Sequence, residues 1–263
     1  MVPADFWRRK MESSPTNTFA WVFFLAKKYS DMFIEGTWIT LYIAVVGTIL
    51  GFVLGFLIGV VQDSKISQHD NPVKKEFVRL LKGISTVYVE VFRDTPMIVQ
   101  AMIIYYGLRQ TSVGAHMTAV FAGILVTVLN TGAYMAETVR GGIGSIDKGQ
   151  REGAWAMGMS PIKTMMYVVL PQAFKNIIPE MANTFLTNLK MTSVLNVIAV
   201  KELFMAAKTV GGNYYKYFES YLVIAAIYFV LCFIFNKLFN FMEKKMADKA
   251  DYVLAVEYLN DDE

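Results

Sequence analysis

Hydrophobic residues along this chain run in long blocks divided by short polar segments, and the block lengths predict its class. From about Thr37 to Val61 there is hardly an ionisable residue, enough length to cross a hydrocarbon core of ~30 Å as a helix. Further blocks follow at about 85–108, 113–140, 177–200 and 217–241. The pattern predicts an all-α integral membrane protein of about five transmembrane helices, with its termini on opposite faces. In the first block Gly47, Gly51, Gly55 and Gly59 recur every fourth residue, a small-residue stripe that predicts close packing against another helix. The apolar run from Phe19 to Ala26 is too short to span and is closed by Lys27-Lys28; it predicts a helix lying in the membrane interface. No small-residue cleavage site of a signal peptide accompanies it.

Composition agrees with the block pattern. Of 263 residues, 55% are hydrophobic and 14% aromatic. A net charge of +3 is too small to argue for nucleic acid as a partner. The one cysteine, Cys232, lies in an apolar run, which leaves no disulfide framework or thiolate metal cluster. His69 and His116 are the only histidines and fall in or near loops, so no catalytic or metal constellation, and no cofactor, is expected. Lys and Arg gather in the 62–82 segment, in the 141–176 loop and near Lys244-Lys245, which predicts that these face the cytoplasm and that the N-terminus lies outside. The basic residues Arg8, Arg9, Lys10, Lys27 and Lys28 run against that orientation.

The longest polar interruption, 141–176, reads as a docking loop. Gln150-Arg151-Glu152-Gly153-Ala154 and Gly158 supply small residues that let another surface approach the backbone, while Arg151 and Glu152 keep the segment soluble. Ser160-Pro161 reads as an N-cap followed by proline at the first helical position, starting a second short helix. Leu170-Pro171-Gln172 closes the loop.

Polar groups inside a bilayer cost free energy and turn toward the bundle interior or water. In the second block Glu90, Arg93, Asp94 and Gln100 surround Thr95-Pro96. Proline there removes a backbone hydrogen bond and disfavours helix at Thr95, predicting a kinked or loosened span; Glu90 and Arg93, three apart, are placed to pair. The third block puts Thr127, Asn130, Tyr134, Glu137 and Gly141 on one face. In the fourth, Glu180, Asn183, Thr184, Thr187 and Lys190 share a face opposite Ala182, Phe185, Leu186 and Leu189. These stripes predict a solute pathway, with Glu90, Arg93, Asp94, Gln100, Asn130, Glu137, Glu180, Asn183, Thr187 and Lys190 as its candidate residues.

Several of these segments resemble a known family. The stretch Glu152-Gly153-Ala154, with Gly158 and Leu170-Pro171, resembles the "EAA" loop of membrane subunits of ATP-binding-cassette importers. Phe92-Arg93-Asp94-Thr95-Pro96-Met97-Ile98-Val99-Gln100 resembles the F-R-G-T-P-hydrophobic-Q signature of permeases of the polar amino-acid uptake family, of the histidine, glutamine, arginine and cystine type. Tyr134 to Ile143 is similar to its Y-x-A-E-x-x-R-G-G-I segment, and Lys190-Met191-Thr192-Ser193 to its K-x-T-S. The resemblance covers about Ile34 to Lys244. It implies a type I importer transmembrane domain at 34–244, after an N-terminal tail and interfacial helix at 1–33 and before a cytoplasmic tail at 245–263. It further implies that Gln150, Glu152, Gly153, Ala154, Gly158, Leu170 and Pro171 couple to an ATPase. The chain departs from the pattern at Asp94, where the signature has Gly, and at Gly153, where the loop has Ala and the helix should be looser by roughly 1 kcal/mol.

The function this implies is the permease subunit of an ATP-driven importer of polar amino acids in a bacterial inner or plasma membrane. It would work as a homo- or heterodimer with two ATPase subunits and an extracytoplasmic substrate-binding protein. The chain has no G-x-x-x-x-G-K-[ST] phosphate loop, so ATP hydrolysis would belong to the separate ATPase, and this subunit is not itself an enzyme. The alternative is a secondary transporter or channel for a small charged solute working alone. About five spans without an inverted second half argue against it, and the docking loop would then have no purpose.

Overall fold

The computed structural model describes residues 15–64, 71–112 and 114–247, and every regular element among them is helical. In chain order these are α1 (Thr18–Lys28), α2 (Ser30–Asp63), α3 (Pro72–Asp94), α4 (Met97–Arg109), α5 (Ala119–Gly144), α6 (Lys148–Ala156) and α7 (Pro161–Thr164). A π turn (Met165–Val169) then leads into α8 (Leu170–Met191), a 3₁₀ turn (Thr192–Ile198), α9 (Leu203–Tyr214) and α10 (Tyr217–Ala247). The helix starts carry their own signals. Asn17, Asn71, Thr118, Asp147 and Ser160 each cap a first turn with a side-chain oxygen, and Pro72 and Pro161 follow two of them.

The centre is a pair of helices, α2 and α5. Gly47 lies against Thr127, Gly51 against Thr131, Gly55 against Met135 and Gly59 against Val139. The numbers rise together, so the two helices run parallel. A Cβ at Gly51 or Gly55 would sit 2.5 Å from the Cβ of Thr131 or Met135, so only glycine permits this approach. The stripe is thus a packing seam, as its period predicts.

Around that pair α3–α4 and α8 run the opposite way. The Tyr88 hydroxyl reaches the Leu129 carbonyl at 2.6 Å, and Met97, Ala101 and Tyr105 pack with Ala122 and Val126. Asn176 bonds Ser145 near one end of α8, and Asn188 bonds Thr131 further along. At one end of the bundle Arg151 of α6 meets Asp63 of α2; at the other Gly36 of α2 abuts Leu203 of α9.

Among the described residues three helices, α2, α5 and α10 as far as Lys245, are long and apolar enough to cross a membrane, and α4 is a shorter apolar helix. The structure corrects several expectations. The second block is two helices, because Thr95 is extended (φ −117°, ψ 144°) and Pro96 caps α4. The fourth block begins earlier, at Leu170, since α7 runs through the π turn into α8 and leaves no separate short helix. Between the fourth and fifth blocks the chain forms a further helix, α9. The segment expected to lie in the interface is the helix α1, which packs Trp21 and Leu25 with residues of α9 and α10 and leaves Phe19 and Phe23 exposed. His69, Arg8, Arg9, Lys10 and the tail after 247 lie outside the described residues.

Candidate functional site

Two polar features stand out in the bundle, and both grow from the break in α3–α4 and the end of α5. Pro96 has no N–H, so the Phe92 carbonyl loses its helical donor. The Gln100 amide supplies one at 2.9 Å and also reaches the Thr95 carbonyl and hydroxyl, each at 2.9 Å. Asn130 of α5 adds a bond to Phe92 at 3.2 Å and one to the Gln100 oxygen at 3.1 Å. The Thr95 hydroxyl donates to the Val91 carbonyl at 2.6 Å. Gln100 is only 6% exposed. Gln100 and Asn130, expected to line a pathway, spend their amides on holding this break.

Below the break is a cavity of about 360 Å³ lined by Gln62, Lys82, Thr86, Val89, Glu90, Arg93, Glu137 and Arg140. Arg140 grips Glu137 with two nitrogens, at 2.6 and 3.3 Å, a bidentate geometry that fixes both planes. Arg93 stands 3.9 Å from the same carboxylate and over the Tyr134 ring at 5.7 Å. The expected Glu90–Arg93 pair does not form: Arg93 turns across to α5, and among the described residues Glu90 has no ion pair. Glu90, Arg93 and Glu137 thus come together, whereas Asp94 is exposed and does not line the cavity.

The α8 residues lie elsewhere. Glu180, Asn183, Thr187 and Lys190 are exposed and Thr184 half-buried, while Ile177, Phe185, Asn188 and Leu189 are buried behind them. The helical phase is therefore the expected one, but none of these side chains lines the cavity. Sequence reasoning missed Asn188, whose amide donates to the hydroxyls of Thr48 (2.8 Å) and Thr131 (2.9 Å) and so ties α2, α5 and α8 together. Its signal was available: an amide beside Leu189 and three residues after Phe185, on the apolar face. Pro179 also lies inside α8 and removes a backbone bond there.

The 141–176 segment, expected to be a docking loop, is a compact cap on one end of the bundle. Asp147 caps α6 by accepting from Gly149 N at 2.7 Å, and Gly158 ends the turn at φ +81°, where glycine is at ease. Arg151 is held by Asp63 at 3.7 Å and by the Ile143 carbonyl at 3.2 Å. Gln150 and Gln172 meet at 3.4 Å, and Gln172 also donates to the Val168 carbonyl at 2.8 Å, inside the π turn that precedes Pro171. Of the expected coupling residues, Gln150, Glu152, Gly153, Gly158 and Pro171 are exposed, Leu170 is half-buried and Ala154 is buried. The apolar surface here comes from residues that motif reading passed over: Trp155, Met157 (85% exposed) and Ile162.

Residues 75–248 match the family described as binding-protein-dependent transport system inner membrane component. The chain is 34% identical over 232 residues to the probable amino-acid permease protein YxeN of Bacillus subtilis (strain 168), which covers 88% of this chain and 97% of that one. It is 35% identical over 213 residues to the arginine transport system permease protein ArtQ of the same organism, covering 81% and 91%. Among solved structures it is similar to a chain of an amino acid ABC transporter with histidines, at TM-score 0.75 and 34% identity, over 88% of this chain and 100% of the other. A chain of the inward-facing MetNI methionine ABC transporter shares the fold at TM-score 0.68 and 20% identity, over 83% and 97%.

Proposed function

This chain belongs to the family of binding-protein-dependent transport system inner membrane components, a multi-pass membrane protein, and on that footing we propose that it is the translocation subunit of an ATP-driven importer of polar amino acids. It works as a dimer with a second permease, with two ATPase subunits on the docking-loop face and a substrate-binding protein on the opposite, outer face. The observation that carries this reading is the charged cavity of Glu90, Arg93, Glu137 and Arg140, set in a membrane bundle and mechanically joined to the docking loop.

The joining is what a coupled transporter needs. Force on α6 passes through Arg151 to Asp63 at the end of α2, and the glycine seam leaves α2 no slack against α5. Helix α5 carries Glu137 and Arg140. A displacement of the docking loop therefore reaches the cavity as a rigid-body shift, the kind of motion that alternating access uses. A zwitterion entering the cavity meets Arg93 for its carboxylate and Glu90 for its ammonium, with Glu137 already occupied by Arg140. The α8 stripe supports a second stretch of the same pathway, because Glu180 or Lys190 turned to lipid near mid-membrane would cost about 2.5–3.5 kcal/mol, a penalty that a wet cleft between two permeases removes.

The test uses the complete complex in proteoliposomes with radiolabelled arginine and glutamine outside. Glu90→Gln and Arg93→Gln should each lower uptake at least tenfold while ATPase activity without substrate persists. Met157→Glu should uncouple hydrolysis from uptake. In cells carrying Cys232→Ser, a cysteine at Lys208 should react with an impermeant thiol reagent from outside, and one at Met157 only after the cells are opened. Wild-type uptake in the Glu90 and Arg93 variants would overturn the cavity assignment; reversed labelling would overturn the orientation.

A further inference from the structure

Helix α3 carries an apolar seam that the rest of the chain leaves open. Val73, Phe77, Leu80, Ile84, Val87 and Val91 follow one another at alternating steps of four and three. All six are exposed, from 50% at Val91 to 76% at Val73. The exposed positions beside them are polar or small, among them Glu76, Arg79, Gly83, Thr86, Glu90 and Arg93. The bundle is served by another face of the helix, on which Ser85 and Val89 are buried and Tyr88 reaches Leu129. The seam is therefore one side chain wide and keeps the 3.5-residue period of a coiled coil, a period that a fluid lipid neighbour does not require.

Lipid also cannot cover its full length. The 13 residues of α4 take up about 20 Å of a hydrocarbon core of ~30 Å, which leaves room for about two turns of α3. Val73, Phe77 and Leu80 thus lie past the acyl chains, in the stretch that also carries Lys74, Lys75, Arg79 and Lys82. A groove of about 590 Å³ runs beside the seam, lined by Glu76, Arg79, Leu80, Gly83, Ile84 and Val87. A Cβ on Gly83 would meet nothing within 4 Å, so the glycine leaves a notch for a facing side chain.

We propose that α3 pairs with the α3 of a second copy of this chain, as a short parallel two-stranded coil from Val73 to Val91. This rests on the importer reading and deepens it, since that reading calls for a second permease without saying which. Two copies in one membrane share an orientation, so helices related by a two-fold axis along its normal run parallel and meet like with like. Phe77, Ile84 and Val91 take the a positions, and Val73, Leu80 and Val87 the d positions. Beta-branched residues at a with Leu at d favour two parallel strands. In this register Glu76 faces Leu81 of the other copy, Gly83 faces Tyr88 and Glu90 faces Thr95, so like charges do not oppose one another across the flanks. Asp94 takes the next seam position as the last residue of α3; two carboxylates meeting there end the pairing at the break in the helix.

The test uses the full chain with its ATPase in native membranes, with two differently tagged copies expressed together in a Cys232→Ser background. Single cysteines are placed on the seam, Leu80→Cys or Val87→Cys, and one residue away at nearly the same depth, Arg79→Cys or Thr86→Cys. Oxidation should join the two tagged copies at least tenfold faster through the seam variants. Ile84→Glu, at a side chain that the single chain leaves exposed, should slow joining through Leu80→Cys at least tenfold with insertion unchanged. Equal rates at the four positions, faster joining off the seam, or joining that survives Ile84→Glu overturns the proposal. So does a failure of the two tags to join at all, the result expected if lipid, the ATPase or a different permease covers α3. Uptake separates this from the importer reading: joined copies without ATP-driven uptake would remove that reading and leave the seam, whereas uptake without joining does the reverse.

Discussion

The Gln100 side chain donates to the Phe92 carbonyl at 2.9 Å, and this bond gives a physical reason for the spacing of the motif between them. Pro96 orphans that carbonyl, and a long amide four residues beyond the proline, one helical turn into α4, is where a replacement donor reaches back. The break in the helix is therefore built and closed by the same nine residues, with Asn130 of α5 securing it from outside.

Gln100→Leu is expected to leave the Phe92 carbonyl with Asn130 alone and to take from Thr95 the bonds to its carbonyl and its hydroxyl. Losing partners for buried groups of this kind costs about 1–3 kcal/mol. Thermal unfolding of the purified protein should report the loss, and a Gln100→Leu protein as stable as wild type would mean that the bonds around the break contribute nothing net.

Gly55→Ala and Gly153→Ala should move stability in opposite directions. A methyl group at Gly55 would meet Met135 Cβ at 2.5 Å and the Gly132 carbonyl at 2.7 Å, and such overpacking costs about 1–3 kcal/mol. At Gly153 a methyl meets nothing within 4 Å, and α6 gains roughly 1 kcal/mol of helix propensity. Equal melting temperatures for the two variants would contradict the seam.

Glu202 offers a pH test at the end of the bundle remote from α6. It is fully buried, caps α9 by accepting from Phe204 N and Met205 N at 2.8 Å each, and accepts from the Tyr228 hydroxyl at 3.3 Å. Burial pushes its carboxyl from the ordinary 4.5 up to about 7, against the pull of those hydrogen bonds. A raised folded-state value means that the native state holds the proton more tightly than the unfolded chain. Its contribution is full below 4.5 and is lost as pH rises to about 7, amounting to about 3 kcal/mol at ~1.4 kcal/mol per unit. The melting temperature should fall between pH 5 and 8, and Glu202→Gln should flatten that fall. An equal slope in both proteins would remove Glu202 as its source.

Much of the fold was legible in the chain because a bilayer imposes long apolar helices, and because glycines every fourth residue have one economical use. Block lengths therefore marked α2, α5 and α10, and the stripe marked the seam without naming its partner. The phase of α8 was readable for the same reason, since polar and apolar faces at helical spacing do not depend on what they face.

The sequence by itself determined the class of molecule, the position of the break at Pro96 and the docking loop, all set by local chemistry. Only the tertiary structure decided which polar groups meet. Arg93 pairs with Glu137 rather than Glu90 because α5 lies across from α3, and no spacing within one helix encodes that. Asn188 is buried because Thr48 and Thr131, 140 and 57 residues away in the chain, arrive beside it. Tyr215 closes α9 at φ +56° because α9 must turn there into α10, and a tyrosine in the sequence does not announce a left-handed cap that glycine usually fills.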